Sequence, residues 1–349
     1  MVGDGALPDE TGELVEWVRQ RRVFVISSPT VLELHSQVLS PLSRQAANWH
    51  VLEVPDGEAA KSVGVAEGLW AEMLRAGGKR DSRIVAFGGG SVGDLAGFVA
   101  GCFMRGIEYV QLPTTLLAQV DASIGGKTAI NLRQAKNSVG LFHHPSRVVA
   151  DTRMLKTLPG GELRSGLMEV LKMAILSDLE LFSMLERDLD DLLAGDSVAL
   201  SPVVAAAARA KIDIVERDPA ERQERMLLNL GHTLGHALES ALDYQSLRHG
   251  EAVGYGILFA VGLAEKRGLA VEAASRMRRL VERFELPRLP ALEVDSLIRL
   301  IGRDKKVSEG GWRWVLPLDL GACEIVSDLA EVEIRQELEA FLGRLEASS

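Results

Sequence analysis

Three histidines crowd one short stretch of this chain: Gly231-His232-Thr233-Leu234-Gly235-His236 is followed closely by His249-Gly250-Glu251. A glutamate, Glu169, stands upstream in Met168-Glu169-Val170-Leu171-Lys172. The whole chain holds seven histidines, so three within eighteen positions is a concentration that packing does not require. Imidazole nitrogens with one carboxylate are the ligand set of a catalytic zinc-type ion that keeps positions open for substrate. Two arrangements fit. His232 and His236, at i and i+4 on a helix, would share a face and could chelate one ion as in the zincin motif, although Thr233 stands where the zincin general base would be. Alternatively one of the two binds the ion and the other touches substrate, with Glu169 and His249 completing a three-ligand site. Lys172, one turn after Glu169, falls on the same helix face beside the ion. The cluster points to an enzyme.

A second group of residues suits phosphates. Arg83-Ile84-Val85-Ala86-Phe87 reads as a strand that runs into Gly88-Gly89-Gly90-Ser91-Val92-Gly93-Asp94, and a helical pattern resumes at Leu95. Gly88, Gly90 and Gly93 satisfy G-x-G-x-x-G between strand and helix, where bare backbone and a helix N-terminus favour a pyrophosphate. A tight structural turn is the plainer alternative. Glu108 lies near the spacing of a ribose-binding acid but precedes a strand. The loop Asp56-Gly57-Glu58-Ala59-Ala60-Lys61 offers further nucleotide-compatible groups. Gly126-Lys127-Thr128 resembles the end of a Walker loop, but Asp121 stands where the first glycine should be, so a P-loop is excluded. What remains is a glycine loop presenting Lys127 shortly after Asp121. Arg105, Lys136 and Asn137 add donors suited to phosphate or carboxylate. His143-His144 reads as loop structure, and His35 and His50 as incidental.

These groups need a scaffold. Strand signals at Arg22–Ile26, Val51–Val54, Arg83–Phe87 and Tyr109–Leu112 alternate with helical spacing, which predicts a largely parallel sheet covered by helices. After Thr157-Leu158-Pro159-Gly160-Gly161 the spacing becomes helical through Leu163–Leu176, Leu179–Leu193, Val203–Ile214, Leu227–Leu242 and Val253–Glu265. Helices follow at Ala270–Phe284, Val294–Ile301 and Val332–Leu345, with a late hairpin at Trp312–Leu316 and Glu324–Val326. The expected organisation is a Rossmann-like α/β domain over 1–155 and a mainly helical domain over 156–349.

The 349 residues suffice for two cores, and a formal net charge of −10 argues against a general nucleic-acid or membrane-surface binder. The apolar run from Ala252 to Ala264 is interrupted by glycines and too short to span a bilayer. Cys102 and Cys323 stand far apart in no C-x-x-C motif, and no secretory signal opens the chain, so a reduced cytoplasm is expected.

Taken together the blocks resemble the 3-dehydroquinate synthase family. The resemblance is carried by Asp56-Gly57-Glu58 with Lys61, Gly88 to Asp94, Leu112-Pro113-Thr114-Thr115, Asp121 with Gly125-Gly126-Lys127-Thr128, and Lys136-Asn137. Glu169-Val170-Leu171-Lys172, Arg225, Asn229 to His236, His249-Gly250-Glu251 and Asp304-Lys305-Lys306 continue it in the family order, over roughly residues 20–320. The resemblance implies an NAD-dependent, zinc- or cobalt-using lyase of the shikimate pathway, converting 3-deoxy-arabino-heptulosonate 7-phosphate to 3-dehydroquinate and phosphate. Glu169, His232 and His249 would then be the metal ligands. His236, Asp121, Lys127, Asn137, Lys172, Arg225 and Lys306 would contact substrate, with Arg105 and Lys136 near its phosphate. Glu58, Lys61, Gly88, Gly89, Gly90, Gly93, Asp94, Thr114 and Thr115 would hold NAD. Arg105 reaching a partner's site would require a homodimer. One departure is visible: Ala135 precedes Lys136-Asn137 where the family usually has glycine, and its methyl would resist a positive φ. Rival readings are another sugar-phosphate cyclase, such as an amino-dehydroquinate synthase, and a metal-dependent polyol dehydrogenase. A non-enzymatic module would leave the histidine cluster and glycine turn unexplained.

Overall fold

Val23 to Ile26 and Ile84 to Phe87 are unbroken apolar runs because the strands they form are covered on both faces. The computed structural model describes residues 1–243, 246–305 and 312–347, and the side chains of all of these except 8–11 and 303–305. Contacts divide the chain into one unit of Met1–Pro159 with Ala194–Ile212, and another of Gly160–Leu193 with the chain from Asp213 onward. The chain therefore crosses between units three times, where the sequence suggested a single boundary near residue 155.

The first unit carries, in order, β1 (Val2–Gly3), β2 (Arg22–Ser27), β3 (Asn48–Glu53), β4 (Arg83–Gly88), β5 (Tyr109–Pro113), β6 (Lys127–Leu132), β7 (Ala135–Phe142), β8 (Arg147–Val148) and β9 (Ala150–Asp151). Helices α1 (Ala6–Val18), α2 (Pro29–His35), α3 (Ser40–Ser43), α4 (Val63–Arg75) and α5 (Gly90–Cys102) connect them. The main sheet has the order β3-β2-β4-β5-β8, every pair parallel. The two-residue period of a strand sends Phe24, Ile26, Ile84 and Ala86 to one face, against Leu69 and Met73 of α4 and Leu95 and Val99 of α5. It sends Val23, Val25, Val85 and Phe87 to the other, against Leu7, Leu14 and Val18 of α1. Burying each large apolar side chain of this kind contributes about 1.5–3 kcal/mol. The parallel sheet expected from the sequence is borne out.

The antiparallel hairpin β6–β7 has no counterpart among the strand signals of the sequence. Most of β7 is exposed, so it lacks the apolar alternation that marks a strand. The pairing also shifts register. Ile130 faces Val139 and Leu132 faces Ala135, which leaves Lys136, Asn137 and Ser138 bulged opposite Asn131. Bulges of this kind re-aim side chains, here Lys136 and Asn137.

The second unit is built from α6 (Gly160–Ser177), α7 (Leu179–Leu193), the end of α8 (Ser197–Arg217), α9 (His232–Ala241), α10 (His249–Lys266), α11 (Val271–Glu282), α12 (Val294–Lys305) and α13 (Glu331–Ala347). The late hairpin is β10 (Trp314–Asp319) with β11 (Ala322–Val326), antiparallel. Helix α6 is buried without interruption from Ser165 to Leu176, and α10 nearly so from Gly250 to Ala264, the pattern of helices at the centre of a core. Two glycines set how closely α10 packs. A Cβ on Gly250 would overlap the carbonyl oxygen of Ser165 in α6, and one on Gly256 would overlap that of Gly231 ahead of α9. The helical stretch expected over Leu227–Leu242 is broken: a 3-10 turn spans Glu224–Asn229, Gly231 takes φ +77°, and α9 starts at His232.

Candidate active site

The close packing of α10 on α6 and α9 brings three ligand atoms together. Glu169 Oε1 lies 3.7 Å from His232 Nε2 and 3.5 Å from His249 Nε2. Glu169 is buried, at 1% exposure, and Oε1 accepts no hydrogen bond among the described residues. A buried carboxylate oxygen with only imidazole nitrogens before it is costly unless a cation sits between them. Ligand atoms about 2.1 Å from one tetrahedral ion stand roughly 3.4 Å apart, close to the spacing seen. The three residues thus fit a divalent ion, with ligand atoms all within 4.8 Å of one another. His232 is prepared for this. Its Nδ1 lies 3.0 Å from the Leu230 carbonyl, which can only accept, so Nδ1 carries the proton and Nε2 keeps its lone pair. Burial, then the Lys172 charge and the neighbouring imidazoles, hold its pKa well below the ordinary histidine value, against the pull of Leu230.

Lys172, buried beside Glu169, brings Nζ to 2.5 Å from Oε2, the opposite carboxylate oxygen. His236 follows His232 by one turn, and their rings meet edge to face with centroids 5.4 Å apart. It also stacks on His249 at 6.0 Å, but its possible cation group is a different one, with Glu239 and His249. Glu239 Oε1 is 3.4 Å from His249 Nδ1, on the far side of that ring from Glu169. An acid there favours the proton on Nδ1 and frees Nε2 for an ion. Glu239 was not singled out in the sequence.

In the first unit, β4 runs into Gly89 as expected, but α5 begins at Gly90, ahead of the helical pattern read from Leu95. None of Gly88, Gly89, Gly90 or Gly93 takes a positive φ. A Cβ on Gly93 would overlap Gln111 Oε1, and one on Gly89 would press on Thr115 at 3.0 Å. The turn therefore packs tightly, with Gly89, Gly90 and Ser91 half-buried at the start of α5. Around it Ser91 Oγ donates to Glu58 Oε1 at 3.2 Å, and Lys61 Nζ pairs with Asp94 Oδ2 at 2.6 Å and also donates to Asn137 Oδ1. Burial pushes the Asp94 pKa up, opposed by the Lys61 charge. Thr114 donates its N–H to Gly88 O at 3.0 Å, and Thr115 Oγ1 accepts from Ala118 N at 3.2 Å. Glu108 instead pairs with Arg83 at 3.0 Å, away from this turn.

Asp121 sits in a π-helical turn, Ala118–Ala122, where Lys211 Nζ of α8 reaches Oδ1 at 2.6 Å and the Asp121 carbonyl at 2.7 Å. Lys211 was missed by sequence reading. The signal was available: it lies four residues after Ala207 on the buried stripe of an alanine-rich helix, a place where lysine is unusual. Lys127 is exposed at the start of β6, just after Gly125 and Gly126, both at positive φ. Lys136 and Asn137 are exposed in the bulge, and the left-handed residue there is Asn137, φ +52°, not Ala135. The concern over Ala135 is thereby removed: it lies in β7 paired with Leu132. Arg105 is exposed on a turn where Met104, Arg105 and Gly106 all have positive φ. Arg225 is buried, donating to the Pro219 carbonyl at 3.0 Å under a loop whose N–H groups converge on Asp218. Lys306 lies outside the described residues. Three further histidines make structural contacts: His143 stacks on Tyr109, His50 on Phe24, and His35 bonds Thr157 at 2.9 Å.

Residues 51–165 fit the family description "3-dehydroquinate synthase N-terminal" and residues 166–307 fit "3-dehydroquinate synthase C-terminal". The chain belongs to the 3-dehydroquinate synthase family. A curated 3-dehydroquinate synthase of Symbiobacterium thermophilum is 44% identical over 326 residues, covering 92% of this chain and 91% of its own. Among solved structures, the 2-epi-5-epi-valiolone synthase of Streptomyces hygroscopicus subsp. jinggangensis, with NAD+ and Zn2+ bound, is 29% identical. Its TM-score is 0.89, with 99% of this chain and 96% of that one covered. A 2-deoxy-scyllo-inosose synthase complexed with carbaglucose-6-phosphate, NAD+ and Co2+ shares the fold, at 24% identity, a TM-score of 0.87 and coverage of 97% and 95%. Membership of the 3-dehydroquinate synthase family accounts for the fold class and for an enzyme built on a parallel sheet followed by helices.

Proposed function

We propose that this chain converts 3-deoxy-D-arabino-heptulosonate 7-phosphate to 3-dehydroquinate and phosphate, in the shikimate route to aromatic amino acids. The observation that carries the reading is the convergence of Glu169 Oε1 with the Nε2 atoms of His232 and His249 in a chain of this family. Glu169, His232 and His249 would hold a zinc or cobalt ion. Glu58, Lys61, Gly88, Gly89, Gly90, Gly93, Asp94, Thr114 and Thr115 would hold NAD, the nucleotide's phosphates meeting the amides at the start of α5. When bound, the ion polarises a substrate hydroxyl and NAD takes up and returns a hydride, leaving no net oxidation.

The chain's own residues do the rest. Lys172 balances Glu169 and, with His236, orients the sugar hydroxyls. Asp121, its carboxylate held by Lys211, together with Lys127, Asn137, Arg225 and Lys306 fixes the sugar acid, and Arg105 and Lys136 take its phosphate. The C–H beside a transient ketone is acidic, so phosphate departs by elimination with its own oxygen as base. Ring opening and aldol closure then follow. Arg105 on its exposed left-handed turn is assigned to the partner's site in a homodimer. Among the described residues no helix is long and apolar enough to cross a membrane. The free thiols of Cys102 and Cys323 suit the cytoplasmic setting assigned here.

Another cyclase activity is the runner-up, favoured by the TM-score of 0.89 to the valiolone synthase, but relatives named 3-dehydroquinate synthase are nearer in sequence, at 44% against 29%. The test incubates protein, NAD, zinc and the heptulosonate phosphate while phosphate and NADH are followed together. Phosphate is expected to appear without NADH accumulating. NADH formed mole for mole, with no phosphate, would overturn the reading in favour of a dehydrogenase.

A further inference from the structure

Asn131, at the bulge of the β6–β7 hairpin, joins two groups of residues that the preceding reading gives to different ligands. Its Nδ2 donates to Glu58 Oε2 at 2.7 Å, and its Oδ1 accepts the Asn137 N–H at 2.8 Å. The partners fix the amide's orientation, because a carboxylate needs a donor and an N–H needs an acceptor. The backbone is anchored too: Asn131 N–H donates to the Lys61 carbonyl at 2.8 Å. Lys61 in turn bonds both Asp94 and the Asn137 side chain. Asn137 is exposed, so packing does little to hold its left-handed backbone at φ +52°. A side-chain-bearing residue keeps that conformation when surrounding bonds impose it, and the Asn131 amide supplies one.

We propose that Asn131 is a positioning residue that sets Glu58 for the nucleotide and Asn137 for the sugar acid with a single amide group, before either ligand binds. The proposal rests on the assignment of Glu58 to NAD and Asn137 to substrate. It leaves Glu58 competent: a carboxylate offers about four acceptor directions, of which Ser91 Oγ and Asn131 Nδ2 take two, so ribose hydroxyls can use the others.

Two variants of the zinc-loaded enzyme separate the halves of the claim. Asn131→Asp keeps the oxygen that holds Asn137 but turns a like charge on Glu58, whereas Asn131→Leu removes both contacts. NAD affinity is measured by calorimetric titration, and kcat at saturating NAD and heptulosonate phosphate by phosphate release. Asn131→Asp is expected to weaken NAD roughly tenfold or more while saturated kcat stays within about threefold of wild type. Asn131→Leu is expected to weaken NAD similarly and also to lower saturated kcat roughly tenfold or more. If Asn131→Leu does not fold, Asn131→Ser, too short for either partner, is read the same way. A merely structural asparagine would lower both melting temperatures without this split. Wild-type NAD affinity in Asn131→Asp, or wild-type saturated kcat in the truncated variant, overturns the proposal. Wild-type protein that binds no NAD at all would overturn the nucleotide assignment beneath it, a distinguishable result.

Discussion

His236 discriminates between the two ways of binding an ion that helical spacing leaves open. It shares a helix face with His232, yet Glu169 approaches His232 and His249 instead. His236→Ala is therefore expected to keep its zinc, by metal analysis after dialysis, while kcat falls roughly a hundredfold as a contact to the reacting sugar is lost. Loss of zinc together with activity would restore the i, i+4 chelate. At the nucleotide turn, Glu58→Gln should weaken NAD roughly tenfold and leave zinc affinity unchanged, checked by parallel titrations. The ligand types were legible in the sequence because histidine is scarce here and clustered. Lys211 left a trace, a lysine on the buried stripe of an alanine-rich helix, but Glu239 and Asn131 left none, since their contacts depend on how α9 meets α10 and on a bulge with no periodic pattern.

At the scale of elements, the second unit depends on backbone touching backbone. Gly250 lets His249 start α10 directly against α6, and its N–H donates to Ser165 Oγ at 2.9 Å. Gly250→Ala must push the helices apart and is expected to destabilise the protein by about 3 kcal/mol and to weaken zinc, seen as a lower denaturation midpoint and lower metal content. In the first unit, Asp151 ties the chain start to β9: it accepts from Gly5 N at 3.1 Å, Arg153 N at 3.0 Å and the Arg153 guanidinium at 2.7 Å. Burial alone would raise its pKa, but these bonds outweigh it and hold the carboxyl below its ordinary value. A depressed carboxylate adds stability that is present above the unfolded-state pKa, about 3.9, and fades as pH falls through the folded value. Asp151→Asn should thus melt below wild type at neutral pH, and the gap should close below about pH 4; a gap constant across that range would contradict this. Strands covered on both faces and the central helices could be read from apolar runs. The β6–β7 hairpin could not, because a mostly exposed strand carries no such run.

For the whole molecule, the order of motifs along the chain identified the family, since the blocks recur over most of its length. The assignment of Ala194–Ile212 to the first unit was not legible, because an alanine-rich helix packs equally well on a sheet or in a bundle. If Arg105 completes the partner's site, mixing Arg105→Ala with Glu169→Gln subunits should recover about a quarter of wild-type activity from two inactive parents. No recovery after verified subunit exchange would place Arg105 in its own chain's site. The central claim is that one carboxylate and two imidazoles hold a single ion, and zinc titration against a chromogenic chelator tests it most directly. Wild type should bind one zinc per chain, and Glu169→Gln, His232→Ala and His249→Ala should each weaken it by at least about a hundredfold while remaining folded. Wild-type zinc affinity in any one of these three variants would contradict the account.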